Sequence, residues 1–244
     1  MKESTKRILL IVIPVLVIVG CVLSVAGGYG YYLNAKKKTE RGASREFRDT
    51  FTTQVTQLWW YEKTDEESKL WREYGKLRAQ RNEARASDNK AGVLRLTNEI
   101  GAAVDKMEKI YDIREAMRIS EGGYISELHE KALKLSDEKK KIALSLVAKT
   151  REANNLGGEL GSLHKEGIRI MRELNESHTN LAKDQISVAQ FNEAMAKLNS
   201  DTENNDKKAT KKNNQISRTI REFETEWAKL KPLLGSDFRP IPKK

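Results

Sequence analysis

Proline is absent from almost the whole chain, since its four copies stand at positions 14, 232, 240 and 242. Apolar residues in the proline-free stretch recur every three or four positions, and we find neither the alternation typical of strands nor a solenoid repeat. Charged residues make up 33% of the chain and aromatic residues 7%, which suits helices with narrow apolar faces better than a thick globular core. The sequence therefore predicts an all-α protein.

A run without charged residues, from Ile8 to Ala35, sets the start of the chain apart. As a helix it would be about 42 Å long, at about 1.5 Å per residue, and a hydrocarbon core is about 30 Å thick. Tyrosines stand near its C-terminal end, where amphipathic rings favour the headgroup layer. We predict a transmembrane helix over residues 8–35, an uncleaved signal anchor that follows a short basic flank over residues 1–7 and precedes a basic linker over residues 36–43.

The same run admits two other interpretations. Ser24-Val25-Ala26 is an acceptable small-x-small cleavage site for signal peptidase. Ile18-Val19-Gly20-Cys21 resembles a bacterial lipobox, in which Cys21 would carry the lipid. Small residues spaced by four share one helix face and allow two membrane helices to pack closely. The residues predicted to form this packing face are Gly20, Ser24 and Gly28.

The charges on either side of this run give conflicting signals about its orientation. Positive residues are more numerous after the run than before it, which would place the C-terminal domain in the cytoplasm. Acidic residues offset about half of that second cluster, and a very short N-terminal flank more often accompanies export. We expect a single-pass protein of the cell membrane, with its C-terminal domain exported into a periplasm or its equivalent.

Two segments after the linker are predicted to form a first helical hairpin over residues 44–119. Its first helix would cover about residues 44–86, and the polar, turn-prone residues 87–89 favour a reversal. Its second helix would cover about residues 90–119. Gly122-Gly123 is predicted to end that helix, because glycine readily adopts the left-handed conformation of a C-cap.

A second, longer hairpin is predicted over residues 123–231. Apolar residues at spacings of three and four keep one register for about eight heptads, which indicates a coiled-coil-like seam along a helix from Ile125 to Leu181. Gly157, Gly158 and Gly161 do not interrupt this seam, so we interpret them as places where a partner helix comes close. The predicted seam residues are Leu128, Leu135, Ile142, Leu146, Leu156, Leu160, Leu163, Ile170, Leu174 and Leu181.

The last helix has a clear predicted start and end. Ser187 followed by Gln190 matches a capping box. The very polar residues 199–215 keep the three-and-four register, so we predict one continuous helix across them, ended by Pro232. Residues 232–244 are predicted to form a flexible tail. Short connections should make successive helices antiparallel, either as a bundle or as an extended stalk.

The sequence contains no arrangement of residues that points to catalysis. His129-Glu130 begins like a zinc-protease motif, but position 133 holds leucine instead of the second histidine. His164 and His178 would lie about 21 Å apart along one helix, so we interpret the histidines as structural surface residues. P-loop, GxSxG and GxGxxG motifs are absent, and the carboxylates stand in mixed-charge surroundings. We predict no enzyme, no cofactor and no metal site.

The densest aromatic cluster is the candidate interaction site. Adjacent Trp59 and Trp60 would point about 100° apart on a helix, so both cannot face one seam. Tryptophan and tyrosine are favoured interface anchors, and a purely structural core is the alternative interpretation. The candidate interaction residues are Trp59, Trp60, Tyr61, Trp71 and Tyr74.

These features together predict a membrane-anchored, coiled-coil scaffold or spacer subunit of a larger envelope assembly that acts by protein–protein interaction. Its partners would be the lipid bilayer and other proteins of the complex, or further copies of itself. The net charge is +10, but basic and acidic residues alternate along the helices, so we expect no nucleic-acid partner. The alternatives are a sensor-type helical bundle that binds a small ligand, and basic helix faces that bind an anionic polymer or lipid.

Overall fold

Helices account for nearly all of residues 32, 34–52 and 64–235, which are the residues that the computed structural model describes. No strand occurs among them, so the prediction of an all-α chain is confirmed for this part. The helices are α1 over residues 34–52, α2 over Asp65–Ala86, α3 over Lys90–Leu133, α4 over Asp137–Ala182 and α5 over Val188–Leu230, and a 3-10 helix follows over Lys231–Leu234.

Successive helices from α2 onwards are antiparallel neighbours, because short turns connect them. α2 packs on α3, α3 on α4, and α4 on α5. We call the end where α3 turns into α4 the upper end, and the end where α4 turns into α5 the lower end. α1 packs against α3, α4 and α5 at the upper end, whereas α2 packs against α3 and α4 at the lower end.

The upper end is held by the largest apolar cluster. Phe47 and Phe51 of α1 pack there with Leu128 of α3, Leu146 of α4 and Leu230 of α5. All five side chains are buried. Complete burial of such a side chain contributes about 1.5–3 kcal/mol each, so α1 is an integral part of the bundle.

The predicted seam lies inside this bundle. All ten of its residues are buried or half-buried. On α4, Leu160 packs with Ile216 of α5, and Ile170 and Leu174 pack with Leu198 of α5. The apolar stripe therefore joins helices within one chain, and most of it is already covered.

The predicted helix end at Gly122-Gly123 is wrong, and so is the unbroken helix from Ile125 to Leu181. α3 continues through both glycines to Leu133, and the chain turns at residues 134–136. Glycine inside a helix costs only about 1 kcal/mol relative to alanine. The burial of Ile125, Leu128 and Ala132 in the upper cluster outweighs that cost. Leu135 is buried although it lies in the turn, which is why the apolar register continues across it.

Glycines on α4 mark close approaches to α3, as predicted. A Cβ atom added to Gly158 would lie 3.2 Å from Arg118 Cζ, and one added to Gly161 would lie 3.1 Å from Glu115 Oε2. Arg118 also donates to Asn154 Oδ1 at 2.9 Å and is ion-paired with Glu115. A hydrogen-bonded polar layer thus connects α3 to α4, and Gly158 and Gly161 leave room for its Arg118 and Glu115 side chains.

The predictions for α5 are confirmed in their main points. Ser187 and Gln190 form a reciprocal capping box, and the helix continues through the polar residues 199–215 to Leu230. The predicted tail is wrong at its start, because Leu234 of the 3-10 helix is buried in the upper cluster. Residues 236–244 lie outside the described part of the chain.

The start of α5 offers a matched test of helix capping. The Ser187 hydroxyl accepts a hydrogen bond from Gln190 N at 3.2 Å, whereas Ser162 is an exposed serine inside α4 that has no capping role. We expect Ser187→Ala to lower the free energy of unfolding by about 1 kcal/mol, and Ser162→Ala to change it by less than about 0.5 kcal/mol. Urea denaturation measures both values, and equal losses in the two variants would contradict the capping assignment.

Several predictions concern residues that lie outside the described part of the chain. These include most of the apolar run, with Gly20, Cys21, Ser24 and Gly28, and the aromatic residues Trp59, Trp60 and Tyr61. Among the helices that the structure does describe, none combines the length and the apolar character needed to cross a membrane. The predicted linker over residues 36–43 is helical and belongs to α1. The single helix predicted over about residues 44–86 is wrong, because Thr64 is an extended N-cap at which α2 begins, and α1 and α2 pack in different clusters.

Candidate functional site

An open cleft of about 810 Å³ lies between α2 and α5. These two helices do not pack against each other along their length, whereas every other pair of neighbours from α2 to α5 does. α4 forms the floor of the cleft, and α3 contributes part of one wall. The lining therefore comes from four helices, with Glu67 and Trp71 on α2, Tyr111 and Arg114 on α3, His164 on α4 and Asn205 on α5 among its members.

A buried ion pair joins two walls of the cleft. Arg114 Nη2 lies 2.6 Å from Glu67 Oε2, and both side chains are largely buried. The contact is an ion pair without the alignment of a hydrogen bond. Glu67 stands in the first turn of α2, where the helix dipole favours negative charge, and its own N–H donates to the capping Thr64 hydroxyl at 3.1 Å. The local cap of α2 thus positions a carboxylate at the cleft.

An aromatic stack lies beside this ion pair. The rings of Tyr111 and His164 are 4.2 Å apart and inclined by only 16°. Burial, followed by the negative charge of Glu67, raises the pKa of Tyr111 to about 12. Burial, followed by the positive charge of Arg114, lowers the pKa of His164 to about 4. Both groups are therefore neutral at pH 7, and the stack presents a flat, uncharged face.

The α5 side of the cleft carries a hydrogen-bond acceptor without a donor. Asn205 Nδ2 donates to Leu163 O at 3.1 Å, while its buried Oδ1 has no hydrogen-bond partner in the described residues. A Cβ atom added to Gly167 would lie 3.3 Å from Asn205 Nδ2, so glycine lets α5 come close to α4 here. A buried acceptor without a donor costs about 1–3 kcal/mol, so a ligand that supplies a donor would be stabilised.

A second buried polar layer lies nearer the lower end. Arg81 of α2 donates to Asn175 Oδ1 of α4 at 2.5 Å, and Asn175 Nδ2 donates to Thr97 O of α3 at 3.4 Å. His178 is buried one turn further along α4, with its ring edge-on to Phe191. The interpretation of the histidines as surface residues is therefore wrong for His178, and His164 is also largely removed from solvent.

The predicted interaction residues that the structure describes lie in the core of the lower half. Trp71 and Tyr74 form an edge-to-face pair, with ring centroids 5.9 Å apart, inside the cluster that joins α2 to α3. Trp71 also lines the cleft. Their role as anchors for a partner protein stays a prediction.

Sequence reasoning missed the polar members of the cleft. One usable signal existed, because Asn205 occupies a position in the three-and-four register that connects Leu198 to Ile216. A polar residue at such a position is either paired inside the bundle or exposed in a cavity. Glu67 gives a second signal of this kind, because it stands three residues before Leu70 in the register that continues to Tyr74. Arg114 and His164 stand among other charged or polar residues and were not assigned to a predicted apolar face.

Comparisons with known proteins add no family assignment. The chain matches no protein family, and neither the curated proteins nor the solved structures include one that is significantly similar to it. Within the described residues, no group of histidine, cysteine, aspartate and glutamate is arranged to hold a metal ion. The geometry of the cleft is therefore the basis for any functional conclusion.

Proposed function

We propose that this protein is a ligand-binding helical bundle, and that the cleft between α2 and α5 takes up a small polar molecule without converting it chemically. The observation that carries this proposal is the lining of the cleft, where four helices bring together a buried ion pair, an aromatic stack and a free acceptor. Small-molecule sites typically have volumes of about 300–1,000 Å³ and combine apolar walls with a few convergent polar groups. The cleft fits both criteria.

The lining also favours a particular ligand chemistry. Trp71 and the Tyr111–His164 stack offer aromatic faces, which suit a flat molecule. Asn205 Oδ1 needs a hydrogen-bond donor, and the rim of the cleft carries Asp206 and Thr210. A compact, flat molecule with N–H or O–H donors meets these requirements.

We further propose that the bundle is held at a membrane by the charge-free run from Ile8 to Ala35, with the bundle on the exported side. This proposal rests on the sequence of the run. α1 is helical from residue 34, so such an anchor would pass into the bundle without a long linker. A membrane-held bundle with a ligand cleft would suit a sensor or a receptor.

A scaffold or spacer subunit is the second candidate, because α3 exposes two large apolar residues one turn apart. Ile113 is 61% exposed and Met117 is 40% exposed. Another protein of the membrane complex, or a second copy of the chain, could cover them. The ligand-binding proposal has the stronger support, since the long apolar stripe that first suggested assembly is occupied within the chain.

Filling the cleft is the direct test of ligand binding. Thr210 lines the cleft and is exposed, so Thr210→Trp should obstruct it without disturbing the core. Thr225→Trp places the same side chain at an exposed position of α5 away from the cleft lining. The probes are nucleobases, amino acids and hexoses, screened by thermal shift and followed by calorimetric titration. We expect at least one of these classes to raise the Tm of the parent protein saturably.

The two variants then separate cleft binding from other binding. Thr210→Trp should weaken binding of that probe by at least about tenfold, whereas Thr225→Trp should leave it unchanged. Circular dichroism checks that both variants are folded. If none of the three classes stabilises the parent protein, or if Thr210→Trp binds the probe as tightly as Thr225→Trp does, the proposal is wrong.

A further inference from the structure

Arg81 is a buried guanidinium without an acidic partner. It is 3% exposed, and no carboxylate in the described residues forms an ion pair with it. Its Nη1 donates to Asn175 Oδ1, but its buried Nε has no hydrogen-bond partner in the part of the chain that the structure describes. Burial lowers the pKa of Arg81 to about 10, which still leaves it charged at pH 7. An uncompensated charge in a protein interior strongly destabilises the folded state, so a negative charge beside Arg81 would stabilise it.

His178 provides a second unpartnered nitrogen in the same region. It is 1% exposed, and its Nδ1 has no hydrogen-bond partner among the described residues. Burial, and then the positive charges of Arg81, Arg85 and Arg78, lower the pKa of His178 to about 3. The imidazole is therefore neutral at pH 7, and as the Nδ1–H tautomer it would offer a hydrogen-bond donor.

The remaining charges around this layer are mainly positive. Arg78 lies over the ring of Tyr74 at 5.6 Å, and Arg85 lies over the ring of Phe191 at 5.1 Å. Neither arginine forms an ion pair with a carboxylate within the ranges that the structure covers. Two aspartates, Asp88 and Asp184, are exposed nearby, and Lys90 Nζ lies 2.6 Å from Asp184 Oδ1. The layer thus has an excess of positive charge.

A cavity leads from the lower end of the bundle towards this layer. Its volume is about 490 Å³, and its lining includes Arg85, Lys90 and His178 together with the carboxylates of Asp88 and Asp184. His178 therefore forms a boundary between the cavity and the buried layer. A solute that enters here passes Arg85, Lys90 and the two aspartates before it reaches His178, and Arg81 itself is not one of the residues that line the cavity.

We propose that a small anion, a halide or a carboxylate, binds in this layer between Arg81 and His178 and enters through the cavity at the lower end. The anion would accept hydrogen bonds from Arg81 Nε and His178 Nδ1, the two buried nitrogens that otherwise have no acceptor. Hydrogen bonds between a charged donor and a charged acceptor are roughly twice as strong as neutral ones. The anion would thereby remove the penalty of the isolated buried charge.

This site is independent of the cleft described above. Arg81 stands four turns beyond Glu67 on α2, which corresponds to about 21 Å along the helix. The structural alternative is that Arg81, Asn175 and Thr97 form a polar layer whose only role is to fix the register of the helices. The two interpretations differ in what they predict when the guanidinium is removed: only the first predicts that anion binding is lost.

The test compares the parent protein with Arg81→Met in halide-free buffer, with the bulky sulfonate of HEPES as the balancing anion at constant ionic strength. Sodium chloride and sodium acetate are the two probes, which separates a halide from a carboxylate. Differential scanning calorimetry measures Tm and isothermal titration measures Kd. We expect at least one probe to raise the Tm of the parent protein saturably, and Arg81→Met to weaken its binding by at least about tenfold.

Arg95→Met is the matched control, since Arg95 is an exposed arginine of α3 whose one ion pair within the described ranges is with Glu99 in the next turn. It should bind the anion as the parent protein does. Without either anion, Arg81→Met should be at least as stable as the parent protein, because the variant lacks the isolated charge. The proposal fails if neither chloride nor acetate binds the parent protein saturably, or if Arg81→Met binds as tightly as Arg95→Met. Arg81→Lys keeps the charge but loses the Nε–H donor, and it should also bind at least about tenfold more weakly.

Discussion

Replacing Phe51 with alanine is expected to lower the free energy of unfolding by about 3–5 kcal/mol. Phe51 is fully buried, and its ring lies 6.0 Å from that of Phe47, 5.8 Å from that of Phe223 and 4.4 Å from that of Trp227. It is the point at which α1 meets α5, so truncation would leave a cavity in the upper cluster that the helices cannot close. Denaturation in urea, monitored by circular dichroism, measures the loss.

Two control variants make the Phe51 result specific. Phe51→Leu keeps most of the apolar volume and should lose substantially less than the alanine variant does. Val188→Ala removes an apolar side chain that is 64% exposed, and it should change the stability by less than about 0.5 kcal/mol. A loss below about 1 kcal/mol for Phe51→Ala would mean that α1 is not packed against the bundle in solution.

Breaking the ion pair between Glu67 and Arg114 is the second change with a large expected effect. Glu67→Gln removes the negative charge but keeps the shape of the side chain, so the largely buried Arg114 guanidinium loses its ion pair with Glu67. Removal of one partner of a buried pair typically costs about 3–5 kcal/mol. The same substitution should lower the pKa of Tyr111, because the charge of Glu67 contributes to raising it. Urea denaturation measures the first effect, and ultraviolet titration of tyrosine measures the second.

A double-mutant cycle isolates the interaction itself. The combined variant Glu67→Gln, Arg114→Gln should lose at least about 1 kcal/mol less than the sum of its two single variants. Lys207 and Glu203 form an exposed pair one turn apart on α5, and the corresponding cycle there should give about 0.3–0.5 kcal/mol. A coupling energy at the cleft no larger than that of the surface pair would contradict the buried geometry.

Local signals in the sequence were sufficient for most of the fold. Hydrogen bonds between near neighbours form the capping box at Ser187 and Gln190 and the polar turn at residues 87–89. The residue types at these positions therefore predict the local structure. The apolar spacing of three and four identified the buried faces of α4 and α5, because burial follows the helical period directly.

The turn between α3 and α4 could not be placed in the same way. Gly122-Gly123 has the stronger local signal for a helix end, whereas the chain turns at residues 134–136. The outcome depends on tertiary packing, since α3 must continue past the glycines to bury Ile125 and Leu128 against α1 and α4. Leu135 makes the turn harder to predict, because it keeps the apolar spacing and is buried in the same cluster although it is not helical.

The candidate sites depend even more on neighbours that are distant in sequence. Arg81, His178 and Glu67 belong to charged or polar stretches that resemble ordinary solvated helix faces. Their burial requires α2 to lie against both α3 and α4. The spacing of three and four does place Glu67 and Arg81 on the buried face of α2, and Asn205 on that of α5, but the charged side chains suggested exposed positions.

One chain folds back on itself, so that its long helices cover each other's apolar faces and leave a cleft between α2 and α5. Zero-length carbodiimide crosslinking, followed by mass spectrometry of an equal mixture of ¹⁴N- and ¹⁵N-labelled protein, tests it most directly. The structure predicts links from Lys149 to Glu222, from Lys212 to Glu159 and from Lys90 to Asp184. In each pair the lysine Nζ lies within 2.6 Å of a carboxylate oxygen. These links should join peptides with the same label. Links between peptides with different labels at these sites would show that the helices pair between chains, and would contradict the account.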